Sequence, residues 1–115
     1  MLHKKSNRLF TALGAATVIL FITSAHAEET PTGDARAAAD KLSMCIGCHG
    51  IKGYKSSFPQ VYHVPKIAGQ NAEYLAAALK EYADGSRSFP TMQAVAQSLT
   101  PQDMADLAAY YSSLR

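Results

Sequence analysis

The 115-residue chain has no tryptophan, four phenylalanines and only two cysteines. So few large aromatics leave a small domain with little from which to build a core. The cysteines cannot make up the deficit as a staple. Cys45 and Cys48 lie three apart, and a bridge between them would close a very small loop and constrain the unfolded chain weakly. No stretch sustains the apolar–polar alternation of a half-buried strand, and there is no internal repeat or low-complexity block. No apolar run reaches the roughly 20 residues of a membrane-spanning helix. Charge of neither sign dominates, with a formal net of +2, so the chain carries no electrostatic footprint for nucleic acid.

What is present begins with a leader. Lys4, Lys5 and Arg8 precede an apolar run over 9–22, followed by the small-x-small pattern Ala25-His26-Ala27. This order is that of a secretory signal peptide, with cleavage expected after Ala27 and 28–115 left as one domain. Periplasmic location without stable membrane insertion follows; an uncleaved leader would instead tether the domain. The leader holds three of the eleven basic residues and none of the nine acids, so the mature domain has a net charge of −1. That charge is uneven. Residues 41–72 contain Lys41, Lys52, Lys55 and Lys66 and no acid.

Helical spacing accounts for most of the domain. A helix is predicted from "DARAAADKLSMC", with Asp34 as its cap and Ala35, Ala38, Ala39, Leu42 and Ile46 recurring on one face. The stretch 50–70, rich in glycine, proline and serine, reads as loop. Asn71 caps a second helix whose apolar face is Tyr74, Leu75, Ala78, Leu79 and Tyr82, ended by Gly85. A loop through Pro90 and Met92 leads to a short helix over 93–99. Thr100, Pro101 and Asp103 then open the clearest helix, with a buried stripe of Met104, Leu107, Ala108, Tyr111 and Leu114. The expected class is all-α, with three main helices and long loops. A 20-residue loop in so small a domain implies that it packs on something else.

"MCIGCHG" supplies that something. Cys45, Cys48 and His49 form Cys-x-x-Cys-His, the attachment motif for c-type haem. Two thiols three apart on one helical turn reach the two vinyl groups of a porphyrin, and the following imidazole lies beneath the iron. The macrocycle would also provide the missing apolar core. A thioredoxin-like redox pair requires a strand before its helix, and none is found. Zinc requires four ligands, and His63 adds only one nitrogen donor to the motif.

The sixth iron position decides what such a centre does: filled, it carries electrons; open, it binds gases or peroxide. Met92, Met104, Met44 and His63 are the candidates. Met104 falls on the packed stripe, and Met44 precedes Cys45 too closely to cross the haem plane. Met92 follows Pro90 and is the favoured ligand, while His63 would give a bis-histidine iron.

Taken in order, "CIGCHG", "PKIAGQNAEYL", "YADGSRSFPTM" and "DMADLAAYY" resemble the class I c-type cytochromes, nearest to the small bacterial branch of periplasmic di-haem c-four proteins and their mono-haem relatives. The resemblance implies one covalent haem c wrapped by helices and loops, with His49 as proximal ligand and Met92 as distal ligand. It implies that the Pro65 carbonyl accepts from the other nitrogen of His49, that Arg87 approaches a haem propionate, and that Ala38 and Tyr110 mark the crossing of the terminal helices. Ala38 stands where the family usually has glycine. The stretch 51–64 is longer than usual in the di-haem branch and adds Tyr54, Phe58, Tyr62 and His63. The implied function is one-electron transfer between redox protein partners, not catalysis. Lys52, Lys55 and Lys66 would border the haem edge and favour an acidic docking surface. A subunit of a larger dehydrogenase or oxidase, and a haem enzyme or gas sensor with an open sixth site, are the alternatives.

Overall fold

The computed structural model describes residues 31–57 and 61–115; the leader at 1–27 and Phe58 lie outside the described residues. The C-terminal helix α4, Pro101–Ser113, organises the rest. Its start is set locally. The Thr100 hydroxyl accepts from the Asp103 amide at 3.1 Å, and the Asp103 carboxylate accepts from the Thr100 amide at 2.9 Å. Pro101, which has no amide hydrogen to satisfy, follows at the first helical position. Such a capping box contributes about 1 kcal/mol to the helix.

Met104, Leu107, Ala108 and Tyr111 are buried as the spacing predicts, and Leu114 packs against them in part. Ala105 and Asp106 are also buried, on a flank that the apolar stripe does not cover. The reason is a second packing surface. The Asp106 carboxylate, only 6% exposed, accepts from the Asp34 amide at 2.7 Å and from Gln102 Nε2 at 2.8 Å. Gln102 Nε2 also donates to the Thr32 carbonyl at 2.9 Å. Between those two anchor points, a Cβ on Gly33 would fall 2.1 Å from the Ala105 carbonyl oxygen. Only a residue without a side chain lets the chain lie this close to the helix backbone.

The helix predicted from Asp34 divides in two. Residues Ala37–Lys41 wind as a 3-10 helix, and α1 runs Ser43–His49. Such tighter turns are common where an α-helix begins. Asp34 takes up one early amide, accepting from Arg36 N at 2.9 Å. This segment packs on α4, with Ala38 fully buried in the same cluster as Leu107 and Tyr111 and with Tyr110 against its edge. Lys41 Nζ lies 3.5 Å from the Asp103 carboxylate.

The long loop is not wholly irregular. β1, Lys55–Ser56, pairs antiparallel with β2, Tyr62–His63, in the register Lys55↔His63 and Ser56↔Tyr62. Strands of two residues are too short to leave an alternation in the sequence. The Tyr62 ring rests on Phe89 at 5.3 Å between centroids.

Helix α2, Ala72–Asp84, is capped by the Asn71 side chain, which accepts from Tyr74 N at 2.9 Å. It ends at Gly85, whose φ of 86° is left-handed and favours glycine. It packs on both α4 and α3, Pro90–Gln97. The start of α3 is a correction to the sequence reading, which left Met92 in a loop. Proline is a breaker inside a helix but a favoured first residue. Pro90 opens α3 after an extended Phe89, so Met92 sits in its first turn. Among the described residues no helix is long and apolar enough to cross a membrane.

Candidate functional site

A cavity of about 260 Å³ opens between these elements, and its walls gather the six residues that the sequence assigned to the cofactor and its iron. Cys45, Cys48 and His49 of α1 line it, as do Pro65, Arg87 and Met92. The two cysteines are not bridged to each other. Met104 is buried in the core and is not among the lining residues, and His63 is an exposed strand residue outside them. Met44 does line the cavity, from the same short helix as the cysteines, and its sulfur lies 4.0 Å from Ser98 Oγ.

The predicted apolar face of α2 has an outcome that periodicity could not give. Tyr74, Leu75, Ala78, Leu79 and Tyr82 all lie on the cavity wall. Only Leu75 of them is buried, and Tyr74 is 49% exposed. A stripe at helical spacing ordinarily meets another helix. Here much of it faces the space where a large apolar group would lie. Thr91, Met92 and Val95 of α3 and Leu107, Ala108 and Tyr111 of α4 complete this lining.

His49 has its orientation set by the backbone. Its Nδ1 lies 2.8 Å from the Pro65 carbonyl oxygen. A carbonyl can only accept, so Nδ1 carries the hydrogen and the Nε2 lone pair of the neutral ring stays available to a metal. The same bond raises the basicity of the ring and fixes its plane. The loop that supplies Pro65 is itself tied to α4, because Gly69 N donates to the Tyr111 carbonyl at 2.8 Å.

Arg87 is held at the cavity edge by several groups at once. Its guanidinium lies 3.2 Å from the Glu81 carboxylate, donates to the Tyr74 hydroxyl at 3.4 Å, and stands over the rings of Tyr74 and Tyr82 at 5.6 and 5.4 Å. The Tyr74 contact, with Glu81 behind it, pushes its pKa up. Five donors in a planar fork leave it able to bind a further anion. Deeper in the wall, burial pushes the Cys45 thiol up, and the Tyr111 hydroxyl beside it opposes that shift.

The residues present fit a covalently held haem. An apolar cleft carries two thiols, an imidazole with its outer nitrogen free and a thioether, and it leaves an apolar helix face uncovered. The sequence pattern described as Cytochrome c matches residues 35–115. The chain belongs to the cytochrome c family. Haem c, bound through paired cysteines, comes with that membership, and Cys45 and Cys48 have its spacing. The cytochrome is 43% identical over 84 residues to cytochrome c-554(548) of Halomonas halodenitrificans, covering 70% of this chain and 96% of that protein. It is 40% identical over 81 residues to cytochrome c4 of Pseudomonas aeruginosa, covering 70% of this chain but 38% of that protein. It is also 37% identical over 79 residues to the thiosulfate dehydrogenase electron acceptor of Thiomonas intermedia, covering 69% of this chain and 35% of that protein. The chain thus spans well under half the length of these last two relatives. The small class I type related to the c4 cytochromes is the one to which this all-α cytochrome belongs.

Three features of the fold and its site left no signal in the sequence: the Tyr62–Phe89 ring pair in the cavity wall, the buried Asp106 anchor, and the buried Tyr111 hydroxyl that shares the cavity wall with Cys45. A carboxylate on a helix flank and a tyrosine in an apolar stripe look unremarkable until the facing elements are in place.

Proposed function

We propose that this cytochrome is a periplasmic one-electron carrier, with thioether bonds at Cys45 and Cys48, His49 and Met92 as axial ligands, and no chemistry on a substrate of its own. The observation that carries the reading is the convergence of Cys45, Cys48, His49 and Met92 on one apolar cavity, with His49 Nδ1 already occupied by Pro65. Bound haem supplies the one-electron couple. The protein's part is to hold an imidazole and a thioether rigidly, because ligands that do not move between oxidation states keep reorganisation small. A soft sulfur ligand favours the reduced form and raises the potential. Arg87, with donors to spare beside its Glu81 and Tyr74 contacts, is assigned to a haem propionate. The name of the Thiomonas relative, an electron acceptor of thiosulfate dehydrogenase, is in keeping with a carrier role. Mass and visible spectrum of the exported protein test this reading together. The expected result is a chain beginning at Glu28 with one haem added, and a ferric red-region band of methionine ligation. A colourless product from a cell that matures c-type cytochromes would overturn it.

The partner side of the reading rests on charge. Lys52, Lys55 and Lys66 are exposed, and Lys66 lines the cavity, whereas Lys41 is drawn onto Asp103. Ile46, Ile51, Val61 and Tyr62, from the same acid-free stretch, are exposed apolar residues. Exposed apolar residues and lysines together suit a brief encounter with an acidic surface. Electron-transfer rate with such a partner is expected to fall steeply as ionic strength rises from 10 to about 200 mM, as the Debye length shortens. A rate that is flat or rises with salt would remove the acidic partner.

A further inference from the structure

The Tyr111 hydroxyl is the one side-chain nitrogen or oxygen of the described residues that is buried with no hydrogen-bond partner. The residue is 6% exposed and lines the cavity, in a cluster otherwise made of Ala38, Leu75, Leu99, Met104, Leu107 and Ala108. Its place is well determined. The ring packs edge-on against Tyr110 at 5.2 Å, and its carbonyl accepts from Gly69 N at 2.8 Å and from Leu114 N at 3.3 Å. Phenylalanine would fill the same space without stranding an oxygen in an apolar wall. A buried hydroxyl left unpaired costs as much as a lost hydrogen bond, so an acceptor is expected at this point. Cys45 packs against this same cluster and lines the same cavity wall, which makes its sulfur the candidate acceptor. In keeping with that, burial together with Cys45 pushes the tyrosine well above the ordinary phenol range.

We propose that Tyr111 is a positioning and tuning residue for the cofactor, donating its hydroxyl hydrogen to the Cys45 sulfur once that sulfur is a thioether. The inference rests on Cys45 being one of the two attachment points. A thiol both donates and accepts, so it fixes no direction for a bond with a hydroxyl. A thioether has lone pairs and no hydrogen, so attachment leaves the sulfur as acceptor only and the tyrosine as donor only. Sulfur is a weak acceptor, but the apolar wall excludes competing water and strengthens the bond. Two consequences follow. The bond ties the attachment turn of α1 to α4, whose backbone also anchors the loop bearing Pro65. It also directs the positive end of the O–H dipole at the sulfur on the porphyrin edge. That favours the electron-richer ferrous protein, so Tyr111 raises the reduction potential.

The test is Tyr111→Phe in the haem-loaded protein, a change that removes one oxygen and keeps the ring. Haem content by mass and the methionine-ligation band are expected to match the parent protein. The midpoint potential at fixed pH is expected to shift downward, and the unfolding equilibrium of the ferrous protein is expected to move several-fold, about 2- to 10-fold, toward the unfolded state. In the unsubstituted ferrous protein, which is diamagnetic, proton NMR is expected to show a slowly exchanging Tyr111 hydroxyl with a cross-relaxation peak to the Cys45 β-protons. An unchanged or higher potential in the variant overturns the proposal, and so does a hydroxyl that exchanges with bulk water and lacks that peak. The NMR measurement decides the matter alone if the variant yields no loaded protein. Failure of the carrier reading is separate, since the parent protein would then show no haem mass at all.

Discussion

Met92→Ala is expected to convert the centre into one with a vacant sixth position. The red-region band of the ferric protein disappears, the ferrous protein binds carbon monoxide rapidly, and the midpoint potential falls on the order of 0.2 V, about a quarter of the range over which axial ligands set haem potentials. The physical reason lies in how the side chain is held. Met92 occupies the first turn of α3, which Pro90 starts and which α2 packs against, so the thioether is presented from a rigid element. A small side chain at this point cannot reach the metal, and the neighbouring lining residues Thr91 and Val95 offer no soft donor. Spectra indistinguishable from the parent, with no carbon monoxide adduct, would transfer the sixth position to another side chain.

The second large effect involves no ligand. Gly33→Ala is expected to destabilise the protein by about 3 kcal/mol or more. A new Cβ 2.1 Å from the Ala105 carbonyl oxygen and 2.6 Å from its carbon meets backbone on a packed helix, which cannot step aside as a flexible side chain would. The strand of chain at 32–34 must lift instead. Overpacking of this kind costs roughly 1–3 kcal/mol. Lifting also removes the Asp34 amide from Asp106 and the Thr32 carbonyl from Gln102, leaving a buried carboxylate short of a donor for roughly 1–3 kcal/mol more. Chemical denaturation of the loaded protein measures it. A midpoint within experimental error of the parent would mean that the N-terminal arm does not lie flush on α4. The arm does not line the cavity, so the spectrum at low denaturant should be unchanged, which separates this effect from that of Met92.

Legibility followed the range of each interaction. Helix ends were plain because capping is local: Asn71, Gly85 and the Thr100–Asp103 box act within three or four residues of themselves. The stripe of α4 was plain because burial on one face repeats at helical spacing. The attachment motif was plainest of all, since its chemistry is carried by five consecutive residues. Pro90 was ambiguous, as the same residue both ends and begins helices, and what lies ahead of it settles which. The β1–β2 pairing was invisible because two residues hold no period. The apolar face of α2 was read correctly as apolar, yet its partner could not be named from spacing. It lines a cavity.

By itself, then, the sequence determined an all-helical cytochrome c domain, the two thiols and the imidazole, and the stripe that makes α4 the centre of the core. Those are properties of single segments. The contact of the Pro65 carbonyl with His49, sixteen residues away, was implied by the family resemblance and by no local pattern. Tertiary structure alone decided that Met44 lines the cavity as well as Met92, that Gly33 and Asp106 lock the N-terminal arm to α4, and that the Tyr111 hydroxyl is buried on the cavity wall with Cys45. Each of these joins segments far apart along the chain, and no local pattern records a contact that exists only once both segments are packed.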